Sequence, residues 1–164
     1  KYGKITGGID DTDVKEEGAT WVLALQCGEA CNIEGVEFLG MRLVQLNPKA
    51  PNKTTNCTGS ALSFAVRPGK KEELIEFVKT FIEEHSVSPE TGICYLEGLV
   101  MPESPYKKQI KTELLTAEYA NAEAERIGVT FIDSANAKGR IGSLGALLWA
   151  NDGVEAAGLF GEEA

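Results

Sequence analysis

Three carboxylates fall within four consecutive positions at Asp10, Asp11 and Asp13, inside the segment Gly8-Ile9-Asp10-Asp11-Thr12-Asp13. Carboxylates this close repel one another unless a cation or a positive partner offsets the charge. Mg²⁺ is the cation such a turn suits, because it takes one or two carboxylates and completes its shell with phosphate oxygens and water. Asp10, Asp11 and Asp13 are therefore the candidate metal ligands and the candidate catalytic groups. Spacing alone leaves a second reading open, a solvated turn in which one aspartate caps the next helix. Thr20, a few residues on, stands where a helix begins and would offer a hydroxyl and backbone N–H groups to a phosphate; a threonine in a helix's first turns is also ordinary.

A second cluster, Ala137-Lys138-Gly139-Arg140-Ile141-Gly142-Ser143, combines two glycines, two cations and a helix start, the ingredients of a phosphate or carboxylate cradle. Its spacing is not that of a Walker loop, and a connector with solvated cations would look the same. The stretch Asn47 to Asn56 is polar and stiffened by Pro48 and Pro51. It would present Lys53, Thr54 and Asn56 to a ligand or simply join two strands. Lys53, Asn56, Lys138, Gly139, Arg140 and Gly142, with Thr20, make up the candidate ligand-binding set.

Other chemistries have less support. One histidine, His85, at the end of an amphipathic helix, is expected to interact with the helix C-terminus and rules out Ser-His-Asp or Cys-His catalysis built on it. Cys27, Cys31, Cys57 and Cys94 form no Cys-x-x-Cys pair and read as small hydrophobes, with a thiol pair at Cys27 and Cys31 the alternative. A formal net charge of −9 disfavours phosphate-backbone binding by the segment as a whole. The cations at Arg42, Lys49 and Lys53, at Lys107, Lys108 and Lys111, and at Lys138 and Arg140 leave room for a local basic cleft. No apolar run approaches the roughly 20 residues of a membrane span, and a cytoplasmic location is expected.

The elements that must position these groups follow from periodicity. Residues 4 to 9 read as a short strand delivering the acidic turn, and an Ala-rich helix runs from Gly18 to about Cys31. Phe38 to Leu46 and Ser60 to Val66 read as partner strands, Pro68 to His85 as an amphipathic helix, and Ile93 to Val100 as a fourth strand. This is the order of a ferredoxin-like split β-α-β sheet, expected over residues 1–102 of an α/β (α+β) chain. A second, smaller α/β lobe is expected over 103–164. It comprises a helix opened by Ser104-Pro105, a helix from Thr116 to Gly128, a strand at Val129 to Ile132, an apolar helix at Ile141 to Ala150 and a last strand at Val154 to Phe160.

Taken together and in order, Gly8 to Asp13, then Arg42-Leu43-Val44-Gln45-Leu46-Asn47-Pro48 with Pro51, Lys53, Thr54 and Asn56, then Gly139-Arg140-Ile141-Gly142 with Leu144 and Ala146, resemble the archaeal tRNA-isoleucine agmatinylcytidine synthetase family. Gly92 to Gly98 and the helix around Thr116 to Gly128 resemble it too. The resemblance implies a kinase-like domain that uses ATP and magnesium to phosphorylate a cytidine oxygen, after which agmatine displaces the phosphate. Asp10, Asp11 and Asp13 would hold magnesium-phosphate, Thr20 would lie by the phosphates, and Lys138 to Gly142 would border the amine or phosphate pocket. It further implies an ATP- and Mg-binding domain over 1–102 and a ferredoxin-like or amine-binding lobe over 103–164.

Two departures bear on substrate. Ala19-Thr20-Trp21 stands where the family has Cys-Thr-Thr, and Glu16 to Trp21 is similar instead to a methanogenesis-marker family of unknown function. The family's OB-fold and zinc-ribbon portions have no counterpart in these residues, so tRNA is expected as a partner only through missing domains or a second protein. The expectation is an ATP-dependent phosphotransferase or C–N ligase segment, the alternative a non-catalytic nucleotide- or amine-binding module.

Overall fold

The computed structural model describes residues 2–10, 20–46, 58–86, 90–133 and 138–152. The acidic residues Asp11 and Asp13, the loop holding Lys53 and Asn56, Cys57 and the expected strand Val154 to Phe160 lie outside the described residues.

Strand β1 (Gly3–Asp10) alternates between two faces of a sheet, which fixes the architecture. Ile5 and Ile9 point to one face with Leu62, Phe64 and Ile93, where helices α1 (Thr20–Ala30) and α2 (Lys71–His85) cover them with Leu23, Ala24, Cys27, Leu74, Val78 and Ile82. The other face carries Val44, Cys94 and Leu96 and is covered by α3 (Tyr106–Thr112), α4 (Ala117–Ile127) and α5 (Gly139–Leu148). Strands β2 (Val36–Gln45), β3 (Thr58–Val66), β4 (Gly92–Glu97) and β5 (Thr130–Phe131) complete a sheet ordered β2-β3-β1-β4-β5, every pairing antiparallel. Its first four strands have the expected ferredoxin-like order. The chain after residue 102 contributes its described strand to that same sheet and its helices to the second face, with α5 packed on β1, β3 and β4.

Local signals explain most boundaries. Thr116 caps α4, its side chain accepting from the N–H of Tyr119 at 3.0 Å, and Gly128 ends it in the left-handed region at φ 88. The Ser104 hydroxyl accepts the N–H of Tyr106 at 3.1 Å, so Ser104-Pro105 opens α3 as its sequence indicates. The ring Nδ1 of His85 lies 2.8 Å from the carbonyl of Phe81 in the last turn of α2, and the ring stacks on Phe81. Three expectations need correction. Strand β4 stops at Glu97 instead of Val100, because Gly98 turns the backbone at φ 138 and leaves Leu99 and Val100 to solvent. Helix α2 begins at Lys71 instead of Pro68, because Arg67 to Lys70 form a hydrogen-bonded turn with Gly69 at φ 89. Helix α5 begins at Gly139, two residues early, so Gly139-Arg140, read from the sequence as connector, belongs to its first turn.

A candidate ligand site at one end of the sheet

Strands β1 and β2 finish, and β3 and β4 begin, at the same end of the sheet, since β1 and β2 run parallel to each other and antiparallel to β3 and β4. Asp10 is the last residue of β1 and pairs with Gly92, the first of β4. Helix α1 opens at Thr20 on this end, α5 opens there at Gly139, and β5 leads to Asp133 beside Ile93. The described residues flanking the acidic turn, the 47–57 stretch and the 134–137 stretch therefore all stand at one end. Among the described candidates, Asp10, the backbone of Thr20 and Lys138 to Gly142 thereby stand at the same end of the sheet. The side chain of Thr20 is outside the description; its backbone opens α1 as expected.

Asp10 alternates to the α5 face, where its carboxylate rests directly on the first turn of α5. A methyl group added at Gly142 would meet Asp10 Oδ2 at 1.8 Å. Glycine at 142 is thus what admits the carboxylate against the helix, where the helix dipole favours negative charge. Gly139 permits a matching backbone approach: a Cβ there would lie 2.3 Å from the Glu90 carbonyl and 2.9 Å from that of Asp10. Both glycines of the second sequence cluster are therefore packed on the strand that delivers the acidic turn.

The cations of that cluster behave differently. Arg140 Nε donates to Asp133 Oδ2 at 2.9 Å, its terminal nitrogens donate to Asn121 Oδ1 and the Asp133 carbonyl at 3.2 Å each, and the guanidinium lies over the Phe131 ring at 4.7 Å. Asp133 is buried, and its other oxygen accepts the N–H of Ile93 at 3.0 Å. This bridge ties α5 to the start of β4. Lys138 is exposed; its backbone N–H donates to Glu90 Oε1 at 3.0 Å, and the Gly139 N–H to the Glu90 carbonyl at 2.8 Å. Glu90 and Asp133 are residues that sequence reading missed. Asp133 sat in an apparent loop, and Glu90 in a Ser-Pro-Glu-Thr-Gly turn with no helix of its own to cap.

Beneath Asp10, Tyr106 is buried and its hydroxyl donates to the Ile141 carbonyl at 2.7 Å. Burial first, then the neighbouring Cys94, Tyr119 and Asp10, push its ionisation far above the ordinary tyrosine range. It is a neutral donor fixing the first turn of α5. Cys27 and Cys94 are buried as the hydrophobic reading expects, burial pushing both up to about 12, while Cys31 is half-buried; these three described cysteines are free thiols. Those residues hold no group of three histidine, cysteine or acidic side chains placed to bind a metal. No described helix is long and apolar enough to cross a membrane.

The fold and site define the chain's class: a ferredoxin-like split sheet, helices on both faces, with its candidate chemistry gathered at one strand end. Residues 7–76 match the family model of the TiaS TCKD domain. An uncharacterized protein of Methanocaldococcus jannaschii is 42% identical over 150 residues, 90% of this chain and 50% of that protein. The tRNA 2-agmatinylcytidine synthetase TiaS of Methanocorpusculum labreanum, which acts on an isoleucine tRNA, is 28% identical over 142 residues, 85% of this chain and 34% of that enzyme. The crystal structure of TiaS in complex with its isoleucine tRNA and ATP superposes with a TM-score of 0.74 at 26% identity, covering 96% of this chain and 37% of that one. The complex of TiaS with the same tRNA, AMPCPP and agmatine gives 0.70 at 25%, with 96% and 37% covered. The chain is a relative of the TiaS family, spanning about half the length of the Methanocaldococcus protein and about a third of the synthetases.

Proposed function

We propose that this chain is the nucleotide-binding portion of an ATP- and magnesium-dependent phosphoryl-transfer or ligase-like enzyme related to tRNA cytidine agmatinylation. The observation that carries the reading is the seating of the Asp10 carboxylate on Gly142, which joins two separate sequence blocks into one acidic, helix-capped cradle. Oxygen donors of this kind suit a hard cation, and the glycines at 139 and 142 let the end of β1 and the Asp10 carboxylate lie against the helix start. Two TiaS structures whose complexes contain ATP or AMPCPP share the fold.

In this reading Asp10, with Asp11 and Asp13, would hold magnesium, Thr20 and the first turn of α1 would receive phosphate oxygens, and Lys53 and Asn56 would add contacts from the 47–56 stretch. Magnesium-bound ATP supplies the activated phosphoryl group. The chain supplies position and charge neutralisation, which make up most of what such a transfer needs. Residues 1–102 contribute the acidic turn, and residues from 103 onward contribute the α5 cradle of Lys138 to Gly142, which borders the amine side where agmatine or a similar amine would enter. A tRNA acceptor would be gripped by domains beyond this segment, and action in the cytoplasm goes with that substrate.

A second reading, a nucleotide- or amine-binding module without turnover, has its own support. Arg140, the guanidinium of the cradle's own first turn, is engaged by Asp133, Asn121 and Phe131 instead of facing a transferring phosphoryl group. Calorimetric titration of ATP with and without Mg²⁺, on wild type and Asp10→Asn/Asp11→Asn, tests the nucleotide claim. Magnesium-dependent binding lost in the double variant is expected; unchanged affinity would refute it. Phosphate release on adding agmatine and tRNA would then favour the enzyme, and binding without release the module.

A further inference from the structure

Two buried side-chain atoms among the described residues lack a hydrogen-bond partner, Ser60 Oγ and Asp152 Oδ2. Asp152 is ion-paired to Lys107 at 2.6 Å, so the Ser60 hydroxyl is the true orphan, at 0% exposure. Two other buried hydroxyls are served: Ser143 Oγ reaches the Arg140 carbonyl at 3.2 Å and Tyr106 the Ile141 carbonyl at 2.7 Å. An unserved buried hydroxyl costs free energy that a strand could avoid with alanine. Its place in the fold indicates what would serve it. Ser60 is the third residue of β3, directly across from Ile9, the residue before Asp10, and from Leu43 on β2. It shares the face of Ile9 and Leu62, on which α1 lies over β2 and β3. The first turn of α1, opening at Thr20, stands at the same end of the sheet as the start of β3. Open N–H groups at a helix start attract anions, and the orphan hydroxyl, on the sheet face that α1 covers and near the same end, is a donor without an acceptor.

We propose that Ser60 is a ligand-contacting residue whose hydroxyl donates to a non-bridging oxygen of a nucleotide polyphosphate bound under the first turn of α1. This rests on the nucleotide reading above and extends it to a residue outside all three sequence blocks. The test is Ser60→Ala, measured by thermal unfolding and by titration with Mg-ATP and with magnesium tripolyphosphate. Alanine deletes an unpaired group, so the unfolding midpoint should hold or rise. Affinity for both ligands should fall roughly tenfold or more, as for a hydrogen bond to a charged acceptor. Equal affinity of wild type and Ser60→Ala would overturn the assignment and leave the hydroxyl to a buried water, with the nucleotide reading intact. A loss with ATP that is missing with tripolyphosphate would overturn the phosphate contact. If the wild type binds neither ligand, the nucleotide reading itself fails, and this inference with it.

Discussion

Replacing Gly142 by alanine separates the ligand site from the fold more cleanly than removing Asp10. The new Cβ would sit 1.8 Å from Asp10 Oδ2 and must gain about 1.6 Å to reach 3.4 Å, the near edge of ordinary contact. What it strikes is the end of an aspartate side chain and, at 2.9 Å, a methyl of Leu46, both able to rotate aside. Alanine also gains about 1 kcal/mol of helix propensity over glycine within α5. The clash and the propensity roughly offset each other, so stability should change by no more than about 1 kcal/mol, a midpoint shift of roughly 2–4 °C for a domain of this size. The carboxylate, however, is displaced by more than about 1 Å, and misplacement of that order costs about a hundredfold at a site tuned for positioning. Thermal unfolding read beside Mg²⁺-dependent ATP titration should thus show a folded protein whose magnesium-dependent affinity has dropped by one to two orders of magnitude. A folded variant with wild-type affinity would refute the placement of Asp10 in the site.

Other substitutions probe the frame. Gly7→Ala adds a methyl with its nearest neighbour at 3.5 Å, beside the small void lined by Ile5, Ile9, Leu62 and Phe64, and should leave thermal stability equal or higher; Gly8→Ala, one residue on, meets the Ser143 carbonyl at 2.1 Å and should cost about 1–3 kcal/mol in denaturant unfolding. Asp133→Ala leaves the largely buried Arg140 guanidinium without its carboxylate and should lower stability by about 3–5 kcal/mol, with a fall in the unfolding midpoint as the readout. Hydrogen bonds from Arg126 and Ser104 hold the Glu123 carboxyl below its ordinary value of 4.5. A carboxyl depressed in the folded state gives its full stabilisation above the ordinary value and loses it as pH falls through the lower folded one. Acid unfolding of Glu123→Gln should therefore converge on wild type below that range while lying under it at neutral pH. Cys27 and Cys94 are buried and pushed up to about 12, whereas Cys31, also raised by burial, is only half-buried, so a thiol reagent at mildly alkaline pH should modify Cys31 ahead of either.

Much of the frame was legible because period-two and helical patterns are local. The alternation of β1, the Thr116 cap and the Gly128 stop each depend on a few neighbouring residues. Boundaries failed where a backbone turn overrode side-chain character: Leu99 and Val100 look like strand, yet Gly98 sends them into solvent. The convergence of Asp10 with Gly142 could be read only through resemblance, since no local pattern says that a helix beginning at residue 139 folds onto a strand ending at residue 10. Arg140 looked like a ligand-facing cation for the same reason; its partner Asp133 lies in what reads as loop, and the ion pair exists only once β5 has joined β4. Glu90 and Ser60 gave no sequence signal at all, because the significance of each depends on what packs, or fails to pack, against it.

On the proposed function, magnesium and a nucleotide's phosphates meet at the end of β1. A crystal grown with AMPCPP and Mn²⁺, the manganese located by anomalous scattering, tests it directly. The expected result is a single strong peak within about 2.0–2.3 Å of an Asp10 carboxylate oxygen, bridged to phosphate oxygens near the first turn of α1. Nucleotide bound elsewhere, or manganese more than one water shell from Asp10, would contradict it.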